Sequence, residues 1–452
     1  METTQPSHPH QWSTCRRLRI SIIVCFATIT ASFTSAIYAA GVTQVCEKFE
    51  IKSVVADLGT TLYVLGFAFG PIIWAPVSEV IGRYWPLNVG MLGCSIFTIG
   101  SAVAHNMQTL LVTRFFAGFC AASPLSIAPA VYADIYQTLQ RSVAIAIYAM
   151  AMFMAPLIAP IVGIFVANGL EWRWTLYIPA IMGFCSSLLL AAFMPETYAP
   201  IILRKRETQG HGMALKDWAQ KYLTRPLRLL VAEPIVLLMS LYVSFIYALL
   251  YAFLVAYPFV FETIHHMSSS VATLPLLSLI WGELVGGLLI LSQQGAYARR
   301  LAANEGIVIP EWRLPQAVIG SVAFAVGLFW FAWTSYTSSV HWMAPTSAGV
   351  LIGFGMYCIF IQCFNYLIDS YPSVTASVVA ANTMLRSGLG ACFPLFSRQM
   401  FSNMQIQWAG TLLAGLALLM IPIPIAFQVY GPSLRARSRF VHPASVSSRH
   451  NV

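Results

Sequence analysis

Two ionisable residues lie far inside apolar stretches of the chain, where a charge is costly and usually has a function. Arg114 stands in the string Leu110–Gly118, and Glu283 stands several residues from either end of the stretch 270–292. An arginine or aspartate at the centre of a membrane helix costs about 2.5–3.5 kcal/mol on insertion scales. We therefore predict that both side chains face a polar interior, with Glu283 as proton carrier and Arg114 as its partner or as a substrate anchor. The alternatives are an arginine that reaches the outer surface and a hydrogen-bonded, protonated glutamate with a structural role.

An acid and a base also stand together where the second and third apolar stretches meet. Glu79 and Arg83 are four residues apart, so one helical turn would bring both side chains onto the same face. Gly82 permits a tight bend beside them, because glycine has no side chain to clash. These residues alone predict a charged turn between two helices.

The composition is that of a membrane protein. Apolar residues make up 58% of the 452 positions and charged residues only 9%, whereas a soluble domain carries about 25% charged residues. So few charges cannot cover a soluble protein of this size. A helix needs about 20 apolar residues to cross the hydrocarbon core of a bilayer. Twelve such stretches are predicted, near residues 18–41, 56–77, 87–105, 108–130, 143–166, 174–194, 234–257, 270–292, 315–335, 344–367, 377–401 and 408–430.

The basic residues are unevenly distributed along the chain. Of the 25 Lys and Arg residues, 19 fall in the tails and in alternate loops, three in the other loops and three inside helices. Positive residues remain on the cytoplasmic side of a membrane. We therefore expect both termini and the loop 195–232 in the cytoplasm. The net charge of +9 reports this topology and predicts no nucleic-acid partner.

The sequence lacks the signatures of several other kinds of chemistry. Its nine cysteines form no Cys-x-x-Cys pair, and no Gly-Lys-Ser/Thr string marks a phosphate-binding loop. His265 and His266 lack the nearby carboxylates or cysteines that a metal site requires. We therefore predict a protein that is not an enzyme and that uses no cofactor or metal.

Polar and aromatic side chains recur at helical spacing in the second half of the chain. Two tyrosines stand one turn apart in the seventh stretch, where they either pack or line a cavity. The end of the tenth stretch and the residues just after it have polar side chains at i, i+3 and i+7, namely Gln362, Asn365 and Asp369. The eleventh stretch has an asparagine one turn before an arginine. The residues predicted to line a substrate or proton pathway are Arg114, Tyr247, Tyr251, Glu283, Gln362, Asn365, Asn382 and Arg386.

Small residues at intervals of four give several helices a smooth face. Gly66 and Gly70 in the second stretch are spaced for close helix contact. Two prolines in the fifth stretch each remove a backbone hydrogen bond, so this helix is expected to bend. The positions predicted to support helix packing and bending are Gly118, Ala155, Pro156, Ala159, Pro160, Gly163, Gly282 and Gly286.

Several of these strings occur together in one known family. Residues 70–87 follow the pattern Gly-Pro…Pro-x-Ser-Glu-x-x-Gly-Arg…Pro-Leu, and Arg114 with Gly118 follows Arg-x-x-x-Gly. In this combination they resemble the major facilitator superfamily, in its fungal twelve-helix branch of drug:proton antiporters. Further strings that resemble this branch are residues 194–203, 310–315 and 327–334.

One departure from the branch pattern concerns the direction of transport. The branch carries Gly-Pro-x-x-Gly-Pro in its fifth helix, whereas this chain keeps both prolines and has Ala155 and Ala159 at the glycine positions. The substitutions weaken the evidence for antiport and leave proton-coupled uptake as an alternative.

The resemblance implies an all-α membrane protein with twelve transmembrane helices in two six-helix halves around a central cavity. It also implies that helices 5 and 8 meet between the halves, and that Asp134 lies at the cytoplasmic end of helix 4. The residues expected to form a cytoplasmic gate are Glu79, Gly82, Arg83, Asp134 and Asp369.

The chain is expected to divide within its longest polar segment. The predicted parts are a disordered cytoplasmic tail at 1–17, an N-terminal half at 18–194, a central cytoplasmic loop at 195–232, a C-terminal half at 233–430 and a cytoplasmic tail at 431–452.

The function that the resemblance implies is export of a drug, toxin or secondary metabolite by proton antiport and alternating access. A polyamine exporter is an alternative, but a dication would require more acidic residues than Glu283, the one deep acid in the sequence. A receptor or scaffold would require an additional folded domain or a long tail. We expect small molecules, protons and the lipid bilayer as partners, a monomeric protein, and a place in the plasma membrane or in a vacuolar or other internal membrane.

Overall fold

The computed structural model describes residues 9–204, 224–436 and 438, and this part of the chain is helical without β-strands. Twelve long helices follow one another. They are α1 (Thr14–Ile37), α2 (Ser53–Ile81), α3 (Tyr84–Ala102), α4 (Met107–Ile135), α5 (Thr138–Gly169), α6 (Trp174–Phe193), α7 (Pro234–Thr263), α8 (Leu277–Ser292), α9 (Leu314–Thr334), α10 (Met343–Ser370), α11 (Thr375–Asn403) and α12 (Ile406–Met420), which the helix Pro422–Ala436 continues.

Ten helical segments of the described residues are long and apolar enough to cross a membrane. The other two long helices, α3 and α11, are less apolar. The first turns of α3 contain Tyr84 and Asn88, and α11 carries Arg386 and Arg398. These two helices complete the twelve that the sequence predicts.

Helix ends follow from local sequence. The side chain of Asn106 accepts a hydrogen bond from the backbone N–H of Thr109 and so caps α4. Proline opens α7 at Pro234, where the missing N–H has no helical partner to lose. Gly82 ends α2 with a φ of 98°, a conformation that other residues rarely adopt.

The chain divides into two compact units, Met1–Tyr222 and Leu223–Val452. In the first unit α2 and α3 pack on α4, α1 packs on α5, and α3 packs on α6. In the second unit α8 and α9 pack on α10, α7 packs on α11, and α9 packs on α12. The two units therefore repeat one pattern of helix pairing, which is typical of transporters built from internal repeats.

The structure corrects the predicted N-terminal tail. Residues 9–11 form a short 3₁₀-helix and α1 begins at Thr14, where the sequence predicts disorder up to residue 17. Trp12 is buried, and the guanidinium carbon of Arg16 lies 3.9 Å from the centre of its ring. This aromatic contact gives the segment an anchor that its polar composition does not reveal.

The predicted loop and C-terminal tail are also partly helical. Helices Ala199–Arg204 and Arg225–Ala232 occupy the two ends of the expected loop 195–232, and the helix Pro422–Ala436 runs past the expected start of the tail at 431. The rest of the predicted loop and tail, residues 205–223, 437 and 439–452, lies outside the described residues, and the predicted cytoplasmic location of both segments stays a prediction.

Candidate functional site

Arg83 is the centre of a charged cluster in the first unit. Its Nε donates to Oδ2 of Asp134 over 3.1 Å, and its Nη1 donates to the hydroxyl of Ser78 over 2.7 Å. The guanidinium carbon lies 4.6 Å from the centre of the Tyr198 ring. Arg83 thus joins the ends of α2 and α4 and the segment after α6. Burial raises the pKa of the Tyr198 hydroxyl above its ordinary value.

The spacing of Glu79 and Arg83 does not place them on one helical face as predicted. Helix α2 ends at Ile81, and the left-handed Gly82 turns the chain before Arg83, which precedes the first residue of α3. Glu79 lies in the last turn of α2 and is half-buried. Its participation in a gate stays a prediction.

Glu196 completes this cluster and was missed from the sequence. Its carboxylate accepts hydrogen bonds from the backbone N–H groups of Arg83 and Tyr84, over 2.9 and 3.2 Å, and from those of the two residues that follow it. The first N–H groups of a helix lack partners within the helix, and a carboxylate there is favoured by the helix dipole. A Cβ at Gly82 would overlap this carboxylate. The sequence signal was an acid directly after Pro195, at the exit from a membrane helix.

The second unit contains a matching ion pair. Nε of Arg313 donates to Oδ2 of Asp369 over 3.2 Å, and the guanidinium carbon lies 4.2 Å from the centre of the Tyr297 ring. Arg313 directly precedes α9 and Asp369 is the penultimate residue of α10. Arg83 and Asp134 occupy the same positions relative to α3 and α4. The sequence predicted Asp369 as a gate residue but did not reveal its partner Arg313.

Two further anchors lie near this pair in the second unit. Arg435, near the end of the chain's last described helix, forms an ion pair with Glu311. The hydroxyl of Tyr371 donates to Oε2 of Glu233 over 2.8 Å, at the start of α7. These contacts tie the ends of α7, α9, α10 and the extension of α12 together.

A chain of three glutamines crosses one end of the second unit. Gln362 on α10 donates to Gln316 on α9, which donates to Gln293 directly after α8. The three side chains line a cavity that Arg300 and Trp312 also line. Oε1 of Gln362 has no hydrogen-bond partner among the described residues. Asn365, which the sequence places on the same polar face, is buried one turn further along α10.

Arg114 is fully enclosed, and its bonds go to main-chain carbonyls. Its Nε donates to the carbonyl of Gly59 over 3.0 Å, and its two terminal nitrogens donate to those of Thr34 and Ser35 over 3.0 and 3.3 Å. Thr34 and Ser35 belong to the last turn of α1, where carbonyls lack helical partners. The guanidinium also lies against the rings of Tyr38 and Tyr63. Arg114 therefore joins α4 to α1 and α2, and its role in coupling stays a prediction.

Glu283 differs from Arg114 in its surroundings. Its side chain is fully buried on α8, and neither carboxyl oxygen has a hydrogen-bond partner among the described residues. The ring of Tyr357 lies against Gly286, one turn further along the helix. The alternative of a hydrogen-bonded structural glutamate therefore finds no partner in the part of the chain that the structure describes. A carboxylic acid in such a place is favoured in its neutral, protonated form.

The predicted aromatic and polar residues of α7 and α11 are brought together. The rings of Tyr247 and Tyr251 meet edge to face, with centres 5.3 Å apart. The guanidinium carbon of Arg386 lies 4.8 Å from the centre of the Tyr247 ring. Nδ2 of Asn382 donates to the hydroxyl of Ser240 over 3.2 Å. All five side chains are buried, so they form one polar and aromatic cluster inside the second unit.

The predicted packing glycines lie at close helix contacts. A Cβ at Gly66 or Gly118 would overlap the backbone of the facing helix, since α2 and α4 touch there. A Cβ at Gly163 would meet Ile37 and Ala40, so α5 packs tightly on the end of α1.

Two predicted glycines of α8 lie against α10 of the same unit, and the implied meeting of helices 5 and 8 stays a prediction. A Cβ at Gly282 would overlap the backbone of α10, and one at Gly286 would crowd Tyr357 and Cys358 on the same helix. Both glycines therefore serve packing within their own unit.

The proline positions of α5 lie inside a continuous helix. Pro156 and Pro160 are both within Thr138–Gly169, and the small residues Ala155 and Ala159 are buried. The predicted bend of this helix stays a prediction.

Within the described residues, no group of three or more His, Cys, Asp and Glu is placed to hold a metal ion. The arrangement can bind and release a proton and form or break ion pairs.

Comparison with known proteins agrees with this architecture. The family model of the Major Facilitator Superfamily matches residues 24–394. The chain is 39% identical to the multidrug transporter TPO1_2 of Candida glabrata, over 97% of this chain and 78% of that protein. It is 42% identical to the ascochitine biosynthesis cluster MFS transporter of Didymella fabae, over 97% of this chain and 87% of that protein.

A solved structure supports the same fold. The proton:xylose symporter XylE superposes with a TM-score of 0.71 at 14% identity, over 92% of this chain and 97% of that one. The predicted fold is therefore confirmed, and the protein is a multi-pass membrane transporter and not an enzyme. The family model and the two relatives together show that the chain belongs to the major facilitator superfamily.

Proposed function

We propose that this transporter exports a small organic compound, such as a drug or a secondary metabolite, in exchange for protons. The names of the two relatives support a drug or metabolite as substrate. The observation that carries the proposal of proton coupling is Glu283, a fully buried acid whose oxygens have no hydrogen-bond partner among the described residues. An acid in a membrane interior is functional by default, because its insertion is costly.

In the proposed cycle Glu283 is protonated when its site is dry and loses the proton when water reaches it. Transfer to an apolar environment disfavours the charged carboxylate, and hydration restores it. One proton moving down about 100 mV releases about 2.3 kcal/mol, and one pH unit adds about 1.4 kcal/mol. Together they sustain a gradient of roughly 500-fold for a neutral substrate, so ATP is not required.

The ion pairs Arg83–Asp134 and Arg313–Asp369 are proposed as gate elements on the side that the charge distribution predicts to be cytoplasmic. Each pair joins the start of one helix to the end of the next, with nearly equal distances of 3.1 and 3.2 Å. An exposed ion pair contributes little, but these side chains are mostly buried, so breaking one leaves a poorly solvated charge. Such pairs can hold one of two conformations and release it when they separate.

The test uses purified protein in liposomes with an imposed pH gradient and a fluorescent drug substrate. Glu283→Gln keeps the shape of the side chain but cannot titrate. We expect this variant to exchange substrate at equal pH and to lose accumulation against a gradient. Glu171→Gln, at an exposed glutamate, is the matched control and should accumulate substrate like the parent protein. Equal accumulation by Glu283→Gln and the parent would exclude Glu283 as the proton site, and substrate movement in the same direction as the proton would indicate uptake.

A further inference from the structure

Arg386 is a permanent cation in the interior of the second unit with no hydrogen bond to any described residue. Its side chain is 3% exposed, its Nε is buried without a hydrogen-bond partner among the described residues, and none of the ion pairs between described residues includes it. Arginine does not give up its proton in proteins, so it cannot become neutral on burial. A buried charge without a partner costs free energy. Arg114, the other deep arginine, donates to three carbonyls and has no such deficit.

Two polar groups near Arg386 in the sequence of α11 also have atoms without a hydrogen-bond partner. Asn382 stands one turn earlier on α11, and its Oδ1 accepts no hydrogen bond from any described residue, although its Nδ2 is bonded to Ser240. The hydroxyl of Ser387 is also buried without a partner in the described residues. A ligand here therefore meets a strong donor at the guanidinium and an acceptor one turn away.

Two aromatic rings pack against the guanidinium of Arg386. The guanidinium carbon of Arg386 lies 4.8 Å from the centre of the Tyr247 ring and 5.3 Å from that of Phe360. These rings stabilise the cation in part, since an aromatic face attracts positive charge. Both rings are buried beside the guanidinium, so a ligand that binds Arg386 must pack next to apolar aromatic surface. A cationic substrate would be repelled by Arg386, and a neutral one would leave its charge unpaired.

We propose that Arg386 selects an organic anion, and that the substrate is an aromatic or conjugated hydroxy acid. Its carboxylate accepts from the guanidinium, its hydroxyl donates to Oδ1 of Asn382, and its ring lies against Tyr247 and Phe360. This inference rests on the proposed function, since it assigns a substrate class to the same transporter. Charge-assisted hydrogen bonds of this kind change affinity by about 10- to 100-fold.

The test measures binding of two probes to the purified full-length protein in lipid nanodiscs. The probes are 3-hydroxy-2-naphthoate and its methyl ester, which keeps the ring and the hydroxyl but has no charge. We expect the acid to bind at least tenfold more tightly than the ester. In Arg386→Gln the ratio of the two affinities should fall to about one. Arg386→Lys, which keeps the charge, should retain part of the preference. Arg398→Gln, an exposed position on the same helix, is the matched control and should keep the full ratio.

Several outcomes would overturn this inference. They are equal binding of acid and ester by the parent protein, binding of neither probe, and an unchanged ratio in Arg386→Gln. Proton-driven transport in liposomes is measured separately with the same probes and with a neutral dye. Transport of the ester and the dye without preference for the acid would overturn the anion site and leave the proposed exporter standing. Acid-selective binding that depends on Arg386, without proton-driven transport of any probe, would support the anion site and contradict the exporter.

Discussion

Replacement of Arg114 by methionine should destabilise the first unit strongly. Methionine fits a similar volume but donates no hydrogen bond, so three buried carbonyls lose their partner. A hydrogen bond to a charged group contributes about 1.5–3 kcal/mol. Each of the two aromatic contacts, at 5.0 Å for Tyr38 and 4.4 Å for Tyr63, adds about 0.5–2 kcal/mol.

The cost of burying the arginine offsets part of this gain. Taking a charged group out of water costs several kcal/mol. A net loss of about 3–5 kcal/mol remains, which is the usual effect of removing one partner from a buried charged contact. For a unit of about 200 residues, 1 kcal/mol corresponds to about 2–4 °C in the melting temperature. We expect Arg114→Met to melt about 6–20 °C below the parent protein.

The measurement is thermal unfolding in detergent, followed by intrinsic tryptophan fluorescence. Arg386→Met is the matched control, because it removes a buried arginine that has no hydrogen bond to the described residues. This control should melt within about 2 °C of the parent or above it, since it removes an unpaired buried charge. A melting temperature of Arg114→Met within about 2 °C of the parent would refute the structural role. If Arg114→Met is that stable and has nevertheless lost transport, the result would indicate the coupling role that the sequence predicts for Arg114.

Three further predictions follow from other contacts. Arg83→Ala should reduce transport several-fold at normal surface expression, because the ion pair is lost, and full activity would exclude a gate. Gly118→Ala should lower the yield of folded protein, because its methyl group would overlap the backbone of α2, whereas Gly388→Ala meets open space and should express normally. Burial, and then the nearby His341, lowers the pKa of His265. Because the unfolded chain then binds the proton more readily, the stability of the protein should fall as the pH drops below about 6.5. An NMR titration midpoint of His265 at or above that value would contradict the lowered pKa.

Much of the fold follows from the sequence because hydropathy and helical period are local properties. Twelve apolar stretches of bilayer length predict the twelve helices, and the small residues at Gly66 and Gly118 predict where helices approach closely. The expected insertion cost also singled out Arg114 and Glu283 as buried charges, and both are fully enclosed. The predicted start of α1 was wrong, because the contact between Trp12 and Arg16 extends order into a polar segment.

The partners of the charged residues required the tertiary structure. Local spacing paired Arg83 with Glu79, and only the family resemblance added Asp134. In the structure Arg83 forms an ion pair with Asp134, and Glu196, which neither signal indicated, accepts from its backbone N–H. Glu196 lies more than one hundred residues from Arg83 in the sequence, and local residue spacing cannot predict a contact over that separation.

The two deep arginines illustrate the same limit. In the sequence Arg114 and Arg386 look alike, since each is an arginine well inside a long, mainly apolar helix. In the structure one is bonded to the carbonyls of two neighbouring helices, and the other has only aromatic faces beside it. The sequence determined that these charges enter the membrane interior, because insertion depends on the residues around each one. Only the tertiary structure decided which charge has its bonds satisfied, because that depends on how separate helices pack against each other.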